Sequence, residues 1–155
     1  MSAAPPDAAV GPLVPLRGEG DVRIAIVVAP DLPPGLLANT VGAVGIGIGA
    51  AMPGLGRVTL EDAAGASILA SADRPVPILS AGERAMRALL VRSADRPADA
   101  TVVAFPAFAR ALHAFTDYAA RVPECALSEV KIDGIGLVGP TKWVRSLTGS
   151  LKLLR

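Results

Sequence analysis

Cysteine and aromatic residues are the scarcest features of this sequence. Cys125 is the only cysteine among 155 residues, so no disulfide can form within the chain. A chain without disulfides is typical of a reducing compartment, and we therefore expect a cytoplasmic protein. Aromatic residues make up only 3% of the sequence, against 52% for all hydrophobic residues. The core must accordingly be built from Ala, Val, Leu and Ile side chains.

An excess of charge of either sign is also missing. Lys and Arg number 15 and Asp and Glu number 14, which gives a formal net charge of +1. This balance excludes a general polycation that binds nucleic acid through overall charge, although it allows a local basic patch. His113 is the only histidine, so a zinc site with two imidazole ligands cannot form within the chain. We expect neither a metal nor a cofactor.

A long uncharged run includes Leu36 to Leu55. Its length reaches the range of a membrane span, about 17–25 residues. Nearly half of the run is Gly and Ala, however, and it contains Asn39 and Pro53-Gly54 near its end. We therefore predict a buried helix that packs closely through small residues, and no membrane partner.

The first 20 residues differ from the rest of the chain. Residues 1–20 are rich in Pro, Ala and Gly and show no hydrophobic periodicity. They also lack the basic start of a secretory signal peptide. We interpret residues 1–20 as a flexible N-terminal tail. One domain is the default for a chain of this length, and we place it at residues 21–155.

Apolar segments of strand and helix length alternate along residues 21–155. Val22–Val28 is a nearly continuous apolar run, typical of a strand covered on both faces. Ser80 and Glu83 have the spacing of a capping box and predict a helix that ends near Ser93. This alternation predicts an α/β domain with a mainly parallel or mixed sheet. The other predicted elements are helices at 36–52, 107–121 and 140–147, strands at 57–60, 66–69 and 131–138, a second strand covered on both faces at 101–105, and an extended or edge segment at 75–79.

A glycine pattern near the C-terminus matches the spacing of a dinucleotide-binding fingerprint. It comprises Gly134, Gly136 and Gly139. The fingerprint belongs after a strand and needs an acidic residue about 20 positions further on. Here the glycines lie within a predicted strand, and no acidic residue follows at that distance. We therefore expect no nucleotide cofactor.

Two groups of polar residues have both a structural and a functional interpretation. Arg110 and His113 fall on the polar face of the predicted helix 107–121, where a solvated charge strip explains them. Glu124 and Asp133 belong to a loose acidic group before the last predicted strand. That group consists either of solvated carboxylates at loop and strand edges, or of residues that place Glu124 at the mouth of a site.

The segment from Pro140 to the C-terminus carries cations and no acid. Its charged residues are Lys142, Arg145, Lys152 and Arg155. Pro favours the first position of a helix, whose N-terminus presents free N–H groups and the positive end of the helix dipole. With Lys142 close by, this arrangement predicts an anion or phosphate site. An ordinary terminal helix with basic ends explains the same residues equally well.

The C-terminal sequence also resembles a known superfamily. Gly139-Pro140 followed by Thr148–Leu153 is similar to the C-terminal signature of type II peptidyl-tRNA hydrolases. Over nearly all of residues 21–155 the chain more closely resembles the domain-of-unknown-function family two thousand, a bacterial branch of that superfamily. The segments that carry this closer match are Asp31–Leu36, Arg74–Leu79 and Gly136–Pro140. The resemblance implies a three-layer α/β/α domain with a mixed sheet, and a homodimer.

The resemblance also implies which residues to consider for hydrolase chemistry. Active hydrolases carry a lysine just before the first helix, where this chain has Pro34-Gly35-Leu36-Leu37. Their Asp-Ala-Gly-x-Thr segment corresponds here to residues 124–128, which keep a carboxylate and a hydroxyl. Glu124 and Ser128 are therefore the candidate catalytic residues. The candidate ligand- or anion-binding residues are Asp31, Asn39, Thr141, Lys142 and Lys152.

Two functions are consistent with these residues. The first is binding of a small anionic ligand or an RNA end without the standard hydrolase site. The alternative is an active hydrolase of peptidyl-tRNA or a related ester, in which Glu124 orients a water and Ser128 hydrogen-bonds the ester. The missing lysine favours binding, whereas the retained carboxylate and hydroxyl favour hydrolysis.

Overall fold

A computed structural model describes residues 21–155, and the predicted flexible tail at residues 1–20 lies outside the described residues. The predicted α/β class is confirmed. The strands are β1 (Val22–Val28), β2 (Thr59–Glu61), β3 (Ser67–Leu69), β4 (Ile78–Ser80), β5 (Thr101–Pro106), β6 (Ile132–Pro140) and β7 (Lys152–Leu153). The α-helices are α1 (Pro34–Ala51), α2 (Glu83–Ser93), α3 (Phe115–Arg121) and α4 (Thr141–Thr148). Short 3-10 helices are formed by Pro53–Gly56, Ala107–Ala111 and Val122–Glu124.

Five strands form one mixed sheet in the order β5-β6-β1-β4-β7. β6 pairs antiparallel with both β1 and β5, whereas β1 and β4 are parallel. β5 therefore runs in the same direction as β1 and β4. β2 and β3 form a separate antiparallel hairpin, which the turn-like residues between the two strands predict.

Helices cover both faces of the sheet. Successive side chains of a strand point to opposite faces, so an apolar strand such as β1 has apolar side chains to bury on each face. Alternate residues of β1 pack against α1, and the residues between them pack against α2 and α4. The cluster on the α1 side includes Ile24, Ile26, Val28, Val44 and Ile48. The cluster on the other side includes Ala25, Val27, Met86, Leu89, Val144 and Leu147. The domain thus has three layers, and its core is aliphatic, as the composition predicts.

Two glycines of β6 let α1 approach the sheet closely. A Cβ atom at Gly134 would lie 2.5 Å from Cγ2 of Thr40, and one at Gly136 would lie 2.5 Å from Cγ1 of Val44. Interiors are close-packed, so a larger residue at either position would push α1 away from the sheet. The three fingerprint-like glycines lie within β6, as predicted, and the observed role of Gly134 and Gly136 is to admit α1.

α1 has no charged residue along its 18 positions. By length and composition it is apolar enough to cross a membrane. In the fold it packs across the sheet through Thr40, Val44 and Ile48, which are its buried residues. The predicted close packing is therefore confirmed for one face of α1. The opposite face is exposed, and Ile46 on it retains 76% of its accessible surface.

The predicted continuous helix at 107–121 is wrong. The chain forms the 3-10 helix Ala107–Ala111, is extended at Leu112, and enters α3 only afterwards. Phe115, which shares a helical spacing with Phe108 and Leu112, is 79% exposed. The apolar residues keep a helical spacing on both sides of this break, so their pattern does not reveal it. The physical reason for the 3-10 turn is tertiary, because the turn carries Arg110 to a partner on the sheet.

Three smaller predictions differ from the structure. Ser80 is the last residue of β4 rather than a helix cap, and Gly82 is the N-cap of α2 without a side-chain hydrogen bond. β5 is a half-buried edge strand rather than a strand covered on both faces. Pro140 ends β6, and α4 begins one residue later at Thr141. The two-residue strand β7 is too short for a sequence pattern to predict it.

Candidate functional site

Three strands of the sheet end at the same edge. β1, β4 and β5 run in one direction, and their last residues are Val28, Ser80 and Pro106. The segments that follow them lead into α1, α2 and the 3-10 helix Ala107–Ala111. In open α/β sheets, ligands bind in the crevice outside the carboxyl ends of strands. This edge is therefore the expected position of a ligand site.

A cavity of about 180 Å³, the polar pocket, opens at this edge. Its charged lining residues come from every one of these segments: Asp31 follows β1, Glu83 begins α2, and Arg110 lies in the 3-10 helix after β5. The fourth charged residue, Lys131, immediately precedes β6. Two carboxylates and two cations therefore surround one small space.

A buried carboxylate holds Arg110 in place. The Nε of Arg110 donates to Oδ2 of Asp133 and its Nη2 donates to Oδ1, each over 2.5 Å. The side chain of Asp133 is fully buried, whereas that of Arg110 is 31% exposed. Hydrogen bonding to Asp133 raises the pKa of Arg110 above its already high ordinary value, so the guanidinium stays charged. The bidentate geometry fixes the direction of the Arg110 side chain.

This pair corrects two interpretations made from the sequence. Arg110 is not part of a solvated charge strip, because it lies in a 3-10 helix and pairs with a buried acid. Asp133 does not belong with Glu124, whose exposed carboxylate pairs instead with Arg121 over 3.2 Å. The acidic group that the sequence places before the last strand therefore separates into a buried and a solvated part.

The other charged groups of the polar pocket differ in their partners. Glu83 accepts a hydrogen bond of 2.6 Å from Arg87, one turn later in α2, and both side chains are exposed. Within residues 21–155, the side chains of Asp31 and Lys131 have neither a hydrogen bond nor an ion pair. Both are therefore available to a ligand.

Two helix N-termini add positive potential at the polar pocket. α1 begins just after the lining residues Pro30–Pro33, and α2 begins at the lining residue Glu83. The N-terminus of a helix carries a partial positive charge and unsatisfied N–H groups. Neither helix has a side-chain cap. The two N-termini thus support the binding of an anion beside Arg110 and Lys131.

Two larger cavities lie away from the polar pocket. An apolar groove of about 570 Å³ lies between α1 and the segment after β5, and Ile46, Phe115 and Tyr118 line it. A basic cavity of about 540 Å³, lined by Arg23 and Arg145 among others, lies where β1 begins. No three His, Cys, Asp or Glu side chains within residues 21–155 are arranged to hold a metal ion.

Comparison with known proteins identifies relatives of this fold. The family model described as protein of unknown function (DUF2000) matches residues 22–155. The chain belongs to this family. The resemblance seen in the sequence is therefore confirmed at the level of DUF2000, and the matched region includes every residue of the polar pocket.

One solved structure similar to this DUF2000 protein is that of a protein of unknown function from Agrobacterium tumefaciens. The TM-score is 0.79 at 22% sequence identity, and the match covers 86% of this chain and 97% of that chain. At that identity the likeness shows a shared fold alone. No curated protein matches the chain significantly.

Only one of the residues predicted from the sequence of this DUF2000 protein lines the polar pocket, namely Asp31. Asn39 lies close in sequence but is exposed on α1. Glu124 and Ser128 lie between α3 and β6 and do not line the polar pocket. Glu124 is exposed and Ser128 is half-buried. The structure therefore does not bring the two candidate catalytic residues to Asp31.

The predicted anion-binding residues of the C-terminal segment lie apart from the polar pocket. Thr141 lines the basic cavity, where its hydroxyl donates a hydrogen bond of 3.0 Å to the carbonyl oxygen of Asp21. Lys142 is exposed on α4 and does not line that cavity. Lys152 lies on β7 and lines a surface depression that shares Pro30 with the polar pocket. The three residues thus do not form one site.

Sequence reasoning missed Glu83, Arg110, Lys131 and Asp133. The sequence does contain a signal for these four residues, namely their position. Each lies within a few residues of the end or start of a predicted strand. Asp133 also alternates with Ile135, a core residue of β6, so strand periodicity places its side chain inside. What the sequence does not supply is the direction of each strand, which decides whether those ends meet.

Proposed function

We propose that this DUF2000 protein binds a small anionic ligand in the polar pocket. The observation that carries the proposal is the fixed position of Arg110, which the buried Asp133 holds at the edge where three strands end. Asp133 uses two of the five N–H donors of the guanidinium, so three donors remain for a ligand. Lys131 adds a second cation whose ammonium has no partner within residues 21–155.

The volume of the polar pocket limits the size of the ligand, and its carboxylates indicate which other groups the ligand carries. At about 180 Å³ the polar pocket is smaller than typical sites for drug-sized molecules, about 300–1,000 Å³. It therefore takes a compact molecule, or the end group of a longer one such as an RNA. Asp31 can accept a hydrogen bond, so we expect a hydroxyl or amine beside the carboxylate or phosphate that meets Arg110 and Lys131.

The experiment that tests this proposal is a thermal-shift screen of small hydroxy acids, amino acids and their phosphate esters. A ligand of the polar pocket raises the melting temperature of the unmodified protein, and the rise is larger the more tightly the ligand binds. Lys131→Gln should abolish that rise, whereas Lys142→Gln, an exposed lysine outside the polar pocket, should leave it unchanged. Equal effects of the two variants would show non-specific charge attraction and would exclude the polar pocket as the site.

Ester hydrolysis is the second candidate function, and a specific observation favours it. The unpaired carboxylate of Asp31 lies in one pocket with Arg110 and Lys131. A carboxylate can activate a water as a general base, and two cations can stabilise the developing oxyanion. We propose that these cations would take the place of the lysine that active type II peptidyl-tRNA hydrolases carry, since Lys142 and Lys152 do not line the polar pocket.

This second candidate is tested by release of an N-blocked amino acid from its tRNA ester. Asp31→Asn should eliminate turnover if Asp31 is the base, and Glu124→Gln should eliminate it if the residue carried over by resemblance is the base. Asp117→Asn, an exposed acid of α3, is the control. Turnover no faster than spontaneous hydrolysis would leave binding as the function.

Three broader proposals remain, two from the resemblance to type II peptidyl-tRNA hydrolases and one, the cytoplasmic location, from the single cysteine. We propose that the fold belongs to that superfamily, that the protein is cytoplasmic, and that it forms a homodimer. The exposed, uncharged face of α1 supports the homodimer, because Ile46 on α1 and the nearby Phe115 retain 76% and 79% of their accessible surface. Exposed apolar patches of this kind mark interaction surfaces.

A further inference from the structure

The basic cavity lies at the end of β1 opposite the polar pocket. Its walls come from the start of β1, the segment before β4 and the first turns of α4. Arg23, Arg74 and Arg145 line it together with Thr141. None of the described residues that line it is an acid. Three guanidinium groups and no lining carboxylate make this the most cationic cavity described above.

Arg23 has a donor that no group within residues 21–155 uses. Its Nε is buried and has no hydrogen-bond partner in that part of the chain. A buried polar group without a partner destabilises the folded state. Because Arg23 also lines the basic cavity, a ligand oxygen that reaches Nε would remove that cost.

Arg145 adds a second guanidinium from a different element. It is exposed on α4, and within residues 21–155 its side chain has neither a hydrogen bond nor an ion pair. Arg74 has a structural role instead, because it donates to both carboxylate oxygens of Asp73 and to the carbonyl oxygen of Val22. Arg74 thereby fixes the wall of the basic cavity, while Arg23 and Arg145 supply its binding groups.

We infer that the basic cavity is a binding site for an organic phosphate. The planar fork of arginine matches the geometry of phosphate oxygens, and two forks can hold one phosphate group from two sides. Pro75, Val76 and Pro77 form an apolar wall beside the arginines, which suits the organic part of the ligand. The volume of about 540 Å³ is within the usual range for small-molecule sites.

This site is independent of the function proposed for the polar pocket. The two cavities share no lining residue. They also differ in chemistry, since the polar pocket contains two carboxylates and the basic cavity contains none among its described lining residues. Either site can exist without the other, and each can be tested in the presence of the other.

The test is a titration of the full chain with phenyl phosphate, and separately with inorganic phosphate, at constant ionic strength. Backbone amide resonances report the location of binding: Arg23 and Thr141 for the basic cavity, Ala29 and Ile132 for the polar pocket. We expect the amides of Arg23 and Thr141 to shift. Phenyl phosphate should bind more tightly than inorganic phosphate because only the ester contacts the apolar wall.

Matched variants decide whether the arginines are responsible. Arg145→Gln should weaken binding about tenfold or more, because it removes hydrogen bonds to a charged group. Lys142→Gln removes an equal charge from the same helix outside the basic cavity and should have little effect. Arg23→Lys keeps the charge but loses the fork, and should also weaken binding.

Three results would overturn the proposal. The first is the absence of shifts at Arg23 and Thr141 in the unmodified protein. The second is equal weakening by Arg145→Gln and Lys142→Gln, which would mean that overall charge alone attracts phosphate. The third is undiminished binding by Arg23→Lys. In the first case, shifts confined to Ala29 and Ile132 would place phosphate in the polar pocket instead.

Discussion

The guanidinium of Arg110 and the carboxylate of Asp133 are joined by two hydrogen bonds of 2.5 Å, although the two residues differ greatly in exposure. Asp133 is fully buried, while 31% of the Arg110 side chain is exposed. Removal of Arg110 would leave an unpaired charge inside the protein. Removal of Asp133 would leave a cation that can turn toward water. The two residues therefore contribute unequally to stability.

We expect Arg110→Met to lower the free energy of unfolding by about 3–5 kcal/mol, the usual cost of breaking a buried ion pair from one side. Asp133→Asn should cost less, because the remaining arginine is partly solvated. Urea unfolding at neutral pH measures both values. Arg87→Met breaks an exposed pair with Glu83 and should cost at most about 1 kcal/mol. Equal losses for Arg110→Met and Arg87→Met would contradict this account.

The second prediction concerns stability and follows from the close packing of α1 on β6. A Cβ at Gly136 would lie 2.5 Å from Cγ1 of Val44 and 2.9 Å from Cδ1 of Ile48. Gly136→Ala should therefore destabilise the protein by about 1–3 kcal/mol, as overpacked cores do. Gly42→Ala is the control, because its Cβ would meet no atom within 4 Å and alanine favours helix by about 1 kcal/mol. Destabilisation by both substitutions would argue against the steric explanation.

A third prediction concerns the proposed homodimer. If the exposed face of α1 is the interface, Ile46→Lys should convert a dimer into a monomer, because it buries a charge in an apolar contact. Sedimentation equilibrium reports the mass of both proteins. Val91→Lys is the matched control, since Val91 of α2 is also exposed, at 60%. A monomeric unmodified protein, or equal dissociation by Val91→Lys, would refute the interface.

The pH dependence of stability supplies a fourth prediction. Hydrogen bonds from Arg74 lower the pKa of the Asp73 carboxyl. A lowered carboxyl pKa stabilises the folded state above the unfolded pKa of about 3.9, and this contribution is lost as the pH falls through the lower folded pKa. Asp73→Asn should therefore reduce stability near neutral pH by about 0.2–1 kcal/mol, as for surface ion pairs.

Thermal unfolding between pH 7 and about pH 2.5 measures this effect of Asp73. The difference between the variant and the unmodified protein should shrink as the pH falls. Asp117→Asn is the control, because Asp117 has no side-chain partner within residues 21–155. A difference that stays constant with pH would show that the carboxylate charge is not the cause.

The sequence predicts most of the elements because their apolar patterns are local. The predicted strand Val22–Val28 agrees with β1 at both ends, and the predicted hairpin is present as β2 and β3. The helix predicted at 107–121 fails because Phe115 and its apolar neighbours keep a helical spacing across a real break in the backbone. Periodicity reports which residues are apolar, and it cannot report a turn that a distant residue stabilises.

The residues of the candidate site are harder to predict from the sequence than the helices and strands are. Asp31 is predictable, since it lies three residues after the end of a recognisable strand. Arg110 and Lys131 are not, because each has an ordinary solvated interpretation until the strand directions are known. The resemblance to type II peptidyl-tRNA hydrolases implies Glu124 and Ser128 as catalytic residues. The fold places both of them outside the polar pocket.

The sequence by itself thus determined an aliphatic α/β domain, the central position of β1 and the place of the glycines within a strand, because these depend on composition and short-range periodicity. Tertiary structure alone decided that Asp31, Arg110 and Lys131 meet, and that Arg23 and Arg145 meet at the other end of β1. The physical reason is that β1, β4 and β5 run in one direction while β6 runs in the other. Strand order and direction, which no local pattern encodes, bring distant charges to the same edge.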